Sequence, residues 1–240
     1  VMKNFGDFFA QFGGSLRTKN LMPASTRIFD LKNIARYLLG RGPYSEDGRN
    51  RNKRRYNVPE VSQLPKEYIR LCPWEAQYLF MLASRAELGV VETGRFHGGS
   101  TFMLAWSNRV VPIHSVDIVP QNDELLQSYF VKHGIGTNVD LIVGDSQRTK
   151  YPHVGEFDLL FIDGDHSYEG CTADLENWYP NLSVGGHIVL HDSYHGSPVQ
   201  ESVIDFVSRH PELQMVQTPY INPEYWSLPA GSLAHLIKTK

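Results

Sequence analysis

From about residue 73 onward, two apolar periods alternate along the chain. Trp74, Tyr78, Leu79 and Leu82 recur at helical spacing behind Pro73, a residue suited to the first turn of a helix. Short apolar runs then take turns with amphipathic stretches. The runs Leu88–Glu92, Val111–Asp117, Val139–Val143, Phe157–Ile162 and His187–Leu190 predict strands. The stretches Ser100–Ser107, Asn122–Lys132, Tyr168–Tyr179 and Val199–Val207 predict the helices that join and follow them. Two late apolar segments, Leu213–Val216 and Leu233–Ile237, bring the expected strands to seven. This order predicts an α/β fold: a doubly wound, mostly parallel sheet with helices on both faces.

In open sheets of this kind, ligands bind beyond the carboxyl ends of the strands. The residues just past the successive runs are Glu92-Thr93-Gly94, Asp117-Ile118, Gly144-Asp145-Ser146, Asp163-Gly164-Asp165-His166 and His191-Asp192-Ser193. Each group carries an acid, so the rim reads as a site. In the turn from Glu92 to Thr101, Gly94 and the pair Gly98-Gly99 let the backbone come close to a ligand, ahead of a helix that starts near Ser100 and Thr101. The spacing is not the G-x-G-x-x-G of a dinucleotide fold, and no lysine follows as in a Walker phosphate cradle. Glu92 would repel pyrophosphate but favour an ammonium or sulfonium group. Asp117 is placed for ribose hydroxyls, and Asp145 and Ser146 for an adenine edge. A cationic adenosine without phosphates describes S-adenosyl-L-methionine. The expected cofactor residues are Glu92, Thr93, Gly94, Gly98, Ser100, Thr101, Asp117, Ile118, Asp145, Ser146 and Asp163.

Charge divides the chain in two. The net charge is −3, but residues 1–70 hold 14 Lys/Arg against 6 Asp/Glu, while residues 71–240 hold 9 against 20. The reading is a basic, partly helical arm over 1–70 and a ligand-binding domain over 71–240. The stretch Arg49–Arg55 is either a solvated loop or a patch that attracts an anionic substrate or the acidic face of another copy, which makes a homo-oligomer an expectation. The arm has no nucleic-acid-binding motif, so nucleic acid is not the expected partner. No apolar run is long enough to span a bilayer, no signal-peptide core is present, and Cys72 and Cys171 lack a CxxC context. These features predict a cytoplasmic protein with reduced thiols.

The run FIDGDHSYEG over 161–170, then Leu182-Ser183-Val184-Gly185-Gly186, then Leu190-His191-Asp192-Ser193 form a specific combination. With the glycine turn, Asp117 and Gly144-Asp145-Ser146, it resembles the class I S-adenosylmethionine-dependent methyltransferases. The branch in view contains macrocin- and rhamnosyl-type sugar O-methyltransferases and cephalosporin-hydroxylase-like proteins. The resemblance covers roughly residues 72–240 and implies a Rossmann-like methyltransferase fold. It implies O-methylation of a hydroxylated small molecule, a sugar or glycosylated metabolite. It also implies a divalent-metal site at Asp163, His191 and Asp192, with a general base at Asp165 or His166. Histidine suits proton transfer near neutral pH, whereas Asp165 is a weak base unless desolvated.

At one point the chain departs from that pattern. Relatives that bind magnesium usually carry two acids where this chain has His191-Asp192. Magnesium prefers oxygen, whereas imidazole suits manganese, iron, nickel or zinc. Two readings stay open: a softer ion, or a metal-free site in which His166 or His191 is the base. The acceptor is open too. His195, Tyr220, Tyr225 and Trp226 are candidates for its pocket, and a glycan, lipid or nucleotide-linked acceptor drawn by the basic arm is an alternative. So is a non-catalytic partner protein of this fold.

Overall fold

The computed structural model describes residues 64–65, 68–71, 73–148, 154–194, 196–216 and 232–240. The basic stretch 49–55, the rest of the arm to residue 63, Cys72, His195, Tyr220, Tyr225 and Trp226 lie outside the described residues.

The elements are α1 (Pro73–Ala83), β1 (Val90–Thr93), α2 (Gly99–Ser107), β2 (Ile113–Asp117), α3 (Asp123–His133), β3 (Val139–Val143), β4 (Phe157–Ile162), α4 (Tyr168–Trp178), β5 (Leu182–Leu190), α5 (Pro198–Arg209), β6 (Leu213–Met215) and β7 (Ala234–Lys238). A short 3₁₀ turn, Tyr179–Asn181, links α4 to β5. The seven strands form one sheet in the order β3-β2-β1-β4-β5-β7-β6. β1 through β5 pair in parallel, and β7 runs antiparallel to both β5 and β6. The expected Rossmann-like sheet is therefore the one observed. Strand order reverses between β1 and β4, which opens a crevice there at the carboxyl edge.

Alternation within the strands sends side chains to two cores. Val90, Leu159 and Phe161 pack with Leu79, Phe102 and Leu104 on one face. Val91, Leu160 and Ile162 pack with Leu175, Val203 and Phe206 on the other. The first core also takes in Leu64, Tyr68, Ile69 and Leu71, so the packed body begins ahead of the boundary that charge suggests.

Two strand boundaries differ from expectation for visible reasons. β1 starts at Val90 because the amides of Glu87, Leu88 and Gly89 are taken by the Asp158 carboxylate rather than by a ladder. β5 starts early, at Leu182, and runs on through Gly185, whose φ of +84° only glycine adopts freely. Among the described residues, no helix is long and apolar enough to cross a membrane.

Candidate active site at the strand ends

The turn after β1 and the turn after β4 touch backbone to backbone. Gly94 has φ +82°, and a Cβ there would lie 2.2 Å from the Asp163 carbonyl oxygen. This contact closes the floor of the crevice. The next two glycines serve packing instead. A Cβ on Gly98 would strike Leu126, and one on Gly99 would lie 2.1 Å from the Tyr68 carbonyl oxygen. Residues 68–70 lie over the turn, with Tyr68 stacked on His97 and the Arg70 guanidinium above the Phe96 ring. His97 also bonds to Asn122.

Several expected cofactor residues are spent internally. Glu92 has no exposed surface. Its Oε2 accepts from Thr101 Oγ1 and Ser115 Oγ, both at 2.6 Å. Burial pushes its pKa up, against these bonds. The expected carboxylate facing a sulfonium is thus a buried strut beneath the turn, and Thr101 is its partner. Thr93 is equally enclosed and donates to Asp174 Oδ2 at 3.0 Å. Ser100 is buried in the first turn of α2. The reason is that β1 is central, with both faces covered.

The acids on the next two strands do reach the rim. Asp117 is half-buried and accepts from the amides of Phe96 at 2.8 Å and Val119 at 2.9 Å, locking the first two turns together. Beside it, Ile118 is 69% exposed. Asp145 accepts from the Gln147 amide at 2.9 Å, and the Ser146 carbonyl takes N–H groups from Asn177 and Trp178. Each Asp117 carboxylate oxygen keeps a second lone pair, so that group can still accept from a ligand.

The ends of β4 and β5 bring Asp163, His166, His191 and Asp192 together, with one donor atom from each lying within 4.8 Å of the others. His191 Nδ1 is 3.0 Å from Asp163 Oδ1 and 3.5 Å from Asp192 Oδ2. His166 is clasped between the same acids, Nδ1 at 3.0 Å from Asp192 Oδ2 and Nε2 at 3.3 Å from Asp163 Oδ1. The His166 side chain is 45% exposed at the mouth, that of His191 only 9%. The bond to Asp163 raises the His166 pKa despite partial burial. Burial opposes charge on His191, yet Asp163, Asp192 and Glu75 together raise its pKa well above the usual histidine range. Asp192 has φ +55°, a left-handed conformation that aspartate tolerates better than most residues and that marks functional sites.

Asp165 is not placed to act as a base. Its Oδ1 accepts from the Ser167 amide at 2.9 Å, and its Oδ2 takes the Gln147 side-chain amide at 3.3 Å. These bonds hold its pKa below the ordinary aspartate value, and the carboxylate folds back over the start of α4. Of the two candidate bases, only His166 faces the cluster.

Sequence reasoning missed Glu75. It is 4% exposed, and its Oε2 lies 3.3 Å from His191 Nε2. The available signal was its place one and two turns before Leu79 and Leu82, an acid on the apolar stripe of α1. The donor set fits a divalent ion. Two carboxylates and an imidazole nitrogen converge, and the distal nitrogen of that imidazole is held by a buried carboxylate, an arrangement typical of metal-ligating histidines.

The domain and its fold have counterparts among known proteins. Residues 91–193 match the family described as methyltransferase domain. The fold aligns with the O-methyltransferase NovP at 15% identity and TM-score 0.60, over 88% of this chain and 96% of that one. It aligns with the SAH-bound methyltransferase PaMTH1 of Podospora anserina at 13% identity and TM-score 0.60, over 92% and 99%. An uncharacterized protein of Acanthamoeba polyphaga mimivirus is 32% identical over 122 residues, 47% of this chain. That match spans 55% of the viral protein, about half its length.

Proposed function

We propose that the chain, whose residues 91–193 match a methyltransferase domain and whose fold aligns with an O-methyltransferase, is a class I S-adenosylmethionine-dependent enzyme that methylates a hydroxyl group of a small molecule, a sugar or glycosylated metabolite. The observation that carries this reading is His166, half-exposed at the mouth of the crevice and clasped between Asp163 and Asp192.

S-Adenosylmethionine supplies an activated methyl group on sulfur. Asp117 accepts from its ribose hydroxyls, and Asp145 with Ser146 meets its adenine edge. The Asp163 and Asp192 carboxylates and His191 Nδ1 would hold a divalent ion, which at that place would lower the pKa of a bound hydroxyl. In the neutral ring, whose one proton sits on Nδ1 toward Asp192 at 3.0 Å, His166 Nε2 turns its lone pair away from Asp163, 3.3 Å distant, and takes the hydroxyl proton. The acceptor oxygen forms its bond to the methyl carbon as the carbon–sulfur bond breaks. The products are a methyl ether and S-adenosylhomocysteine.

Calorimetry and a labelled-methyl assay over a panel of hydroxylated sugars test this. S-Adenosylmethionine is expected to bind the wild type and to be lost in Asp117→Ala. His166→Ala should lower kcat by about 10²–10⁴-fold with cofactor affinity unchanged. A wild type that binds no S-adenosylmethionine sinks the proposal, and so does a His166→Ala variant with full turnover. Full turnover in EDTA removes the ion and leaves the rest.

A further inference from the structure

We propose that Glu75 is a positioning residue for His191, and that the pair makes the Asp163–His191–Asp192 corner select a first-row transition ion over magnesium. The inference rests on reading that corner as a metal site. Glu75 lies on α1, outside the residues that match the methyltransferase family, and no motif points to it.

The argument starts from the carboxylate. Glu75 Oε1 accepts from the Ser232 amide at 3.2 Å and from Ser232 Oγ at 2.8 Å, just ahead of β7. Those two donors fix the plane of the group and turn Oε2 toward His191 Nε2, 3.3 Å away. An oxygen acceptor at Nε2 requires the proton there. In a neutral imidazole the lone pair then sits on Nδ1, the nitrogen that faces Asp163 Oδ1 and Asp192 Oδ2. An incoming ion need only displace the proton at Nδ1, because Glu75 holds the one at Nε2, and burial of both partners keeps water from competing for that bond.

Selectivity follows from the donor. With an acid at position 191 the corner would offer oxygen alone and suit magnesium, which loses its water reluctantly. With a pre-oriented nitrogen it gains affinity for manganese, iron, cobalt, nickel or zinc. Glu75 also ties α1 to the segment before β7, so a purely structural role must be separated from this one.

The test uses the full chain and Mn²⁺, followed by the electron paramagnetic resonance of the free ion, with S-adenosylhomocysteine affinity measured in parallel without metal. Glu75→Gln and Glu75→Ala are expected to weaken Mn²⁺ binding by about 10- to 100-fold while S-adenosylhomocysteine affinity holds. In a His191→Ala background, the Glu75 substitutions should have no further effect on Mn²⁺. Excess Mg²⁺ should leave Mn²⁺ bound in the wild type and displace it more readily in His191→Asp. Glu75→Gln, which keeps size and the bonds from Ser232 but turns an amide N–H in place of an acceptor oxygen toward His191 Nε2, covers the case in which the alanine variant fails to fold. Equal Mn²⁺ affinity in the wild type and Glu75→Gln overturns the positioning role alone. So does a Glu75 effect that persists without His191. Displacement by Mg²⁺ on equal terms overturns the selectivity. A wild type that binds no Mn²⁺ overturns this inference together with the metal reading beneath it.

Discussion

Asp174 has no exposed surface and sits behind the crevice, where Thr93 Oγ1 reaches it at 3.0 Å and Gly164 packs against its carboxylate. Burial pushes its pKa up from 3.8 to about 6, against the lowering effect of its hydroxyl partners. The sign of the linkage follows. Between about pH 4 and pH 6 the folded protein keeps a proton that the unfolded chain releases, so stability falls as pH rises through that window and levels off above it, by on the order of 3 kcal/mol in all. Asp174→Asn should abolish this part of the slope and be the more stable protein at pH 8. Urea unfolding across pH checks it, and parallel curves for the two proteins would refute it. The same residue shows what the sequence leaves open at this scale. Acids at strand ends were legible, but not which of them face the rim. Glu92 and Asp117 occupy similar places after neighbouring strands. One is capped by Thr101 and Ser115 and has no exposed surface; the other is half-buried at the crevice. That difference depends on hydroxyls 9 and 23 residues away, which no local pattern announces. Arg95 escaped notice for the same reason. It reads as a turn residue, yet it is fully buried, paired with Asp123 at 2.7 Å and bonded to the carbonyls of Ser115 and Ile142.

Elements were the most legible level, because period-2 and period-3.6 patterns follow from burial on fixed faces. Every expected strand and helix from residue 73 on is present, and the late start of β1 traces to the side-chain bonds of Asp158. Turns are where similar letters carry different weight. Gly94 and Gly134 both have positive φ, +82° and +63°. A Cβ on Gly134, at the end of α3, would meet nothing within 4 Å. Gly134→Ala should therefore cost only the left-handed strain, about 1–2 kcal/mol, with S-adenosylmethionine affinity intact. On Gly94 the Cβ would fall 2.2 Å from backbone, where no rotamer change can relieve it. Gly94→Ala should push the β1 and β4 turns apart and lose cofactor binding along with stability. Unfolding curves and cofactor titration of the two variants separate strain from clash. Similar losses in both would mean that the β1–β4 contact does not shape the crevice.

At the scale of the whole molecule, the site is not a local graft on a finished fold. Its residues come from the ends of five parallel strands, and Glu75 and Ser232 reach it from α1 and the approach to β7. The sheet that carries these ends separates two cores, so opening the crevice disturbs the packing of both. A ligand held there acts on the cooperative unit as a whole. S-Adenosylhomocysteine at about 100 times its Kd should stabilise the folded state by about 2.7 kcal/mol. For a body of this size that corresponds to a Tm rise of about 5–10 °C. Asp117→Ala should remove the rise, because the carboxylate that locks the first two turns is also the proposed ribose partner. If the corner holds a resident ion, EDTA should lower Tm in the wild type and leave Asp192→Ala where it was. Calorimetric scans with and without each ligand decide the matter. A Tm that S-adenosylhomocysteine leaves in place would mean that the crevice is not where the folded state meets its cofactor, however well the strand order suits one.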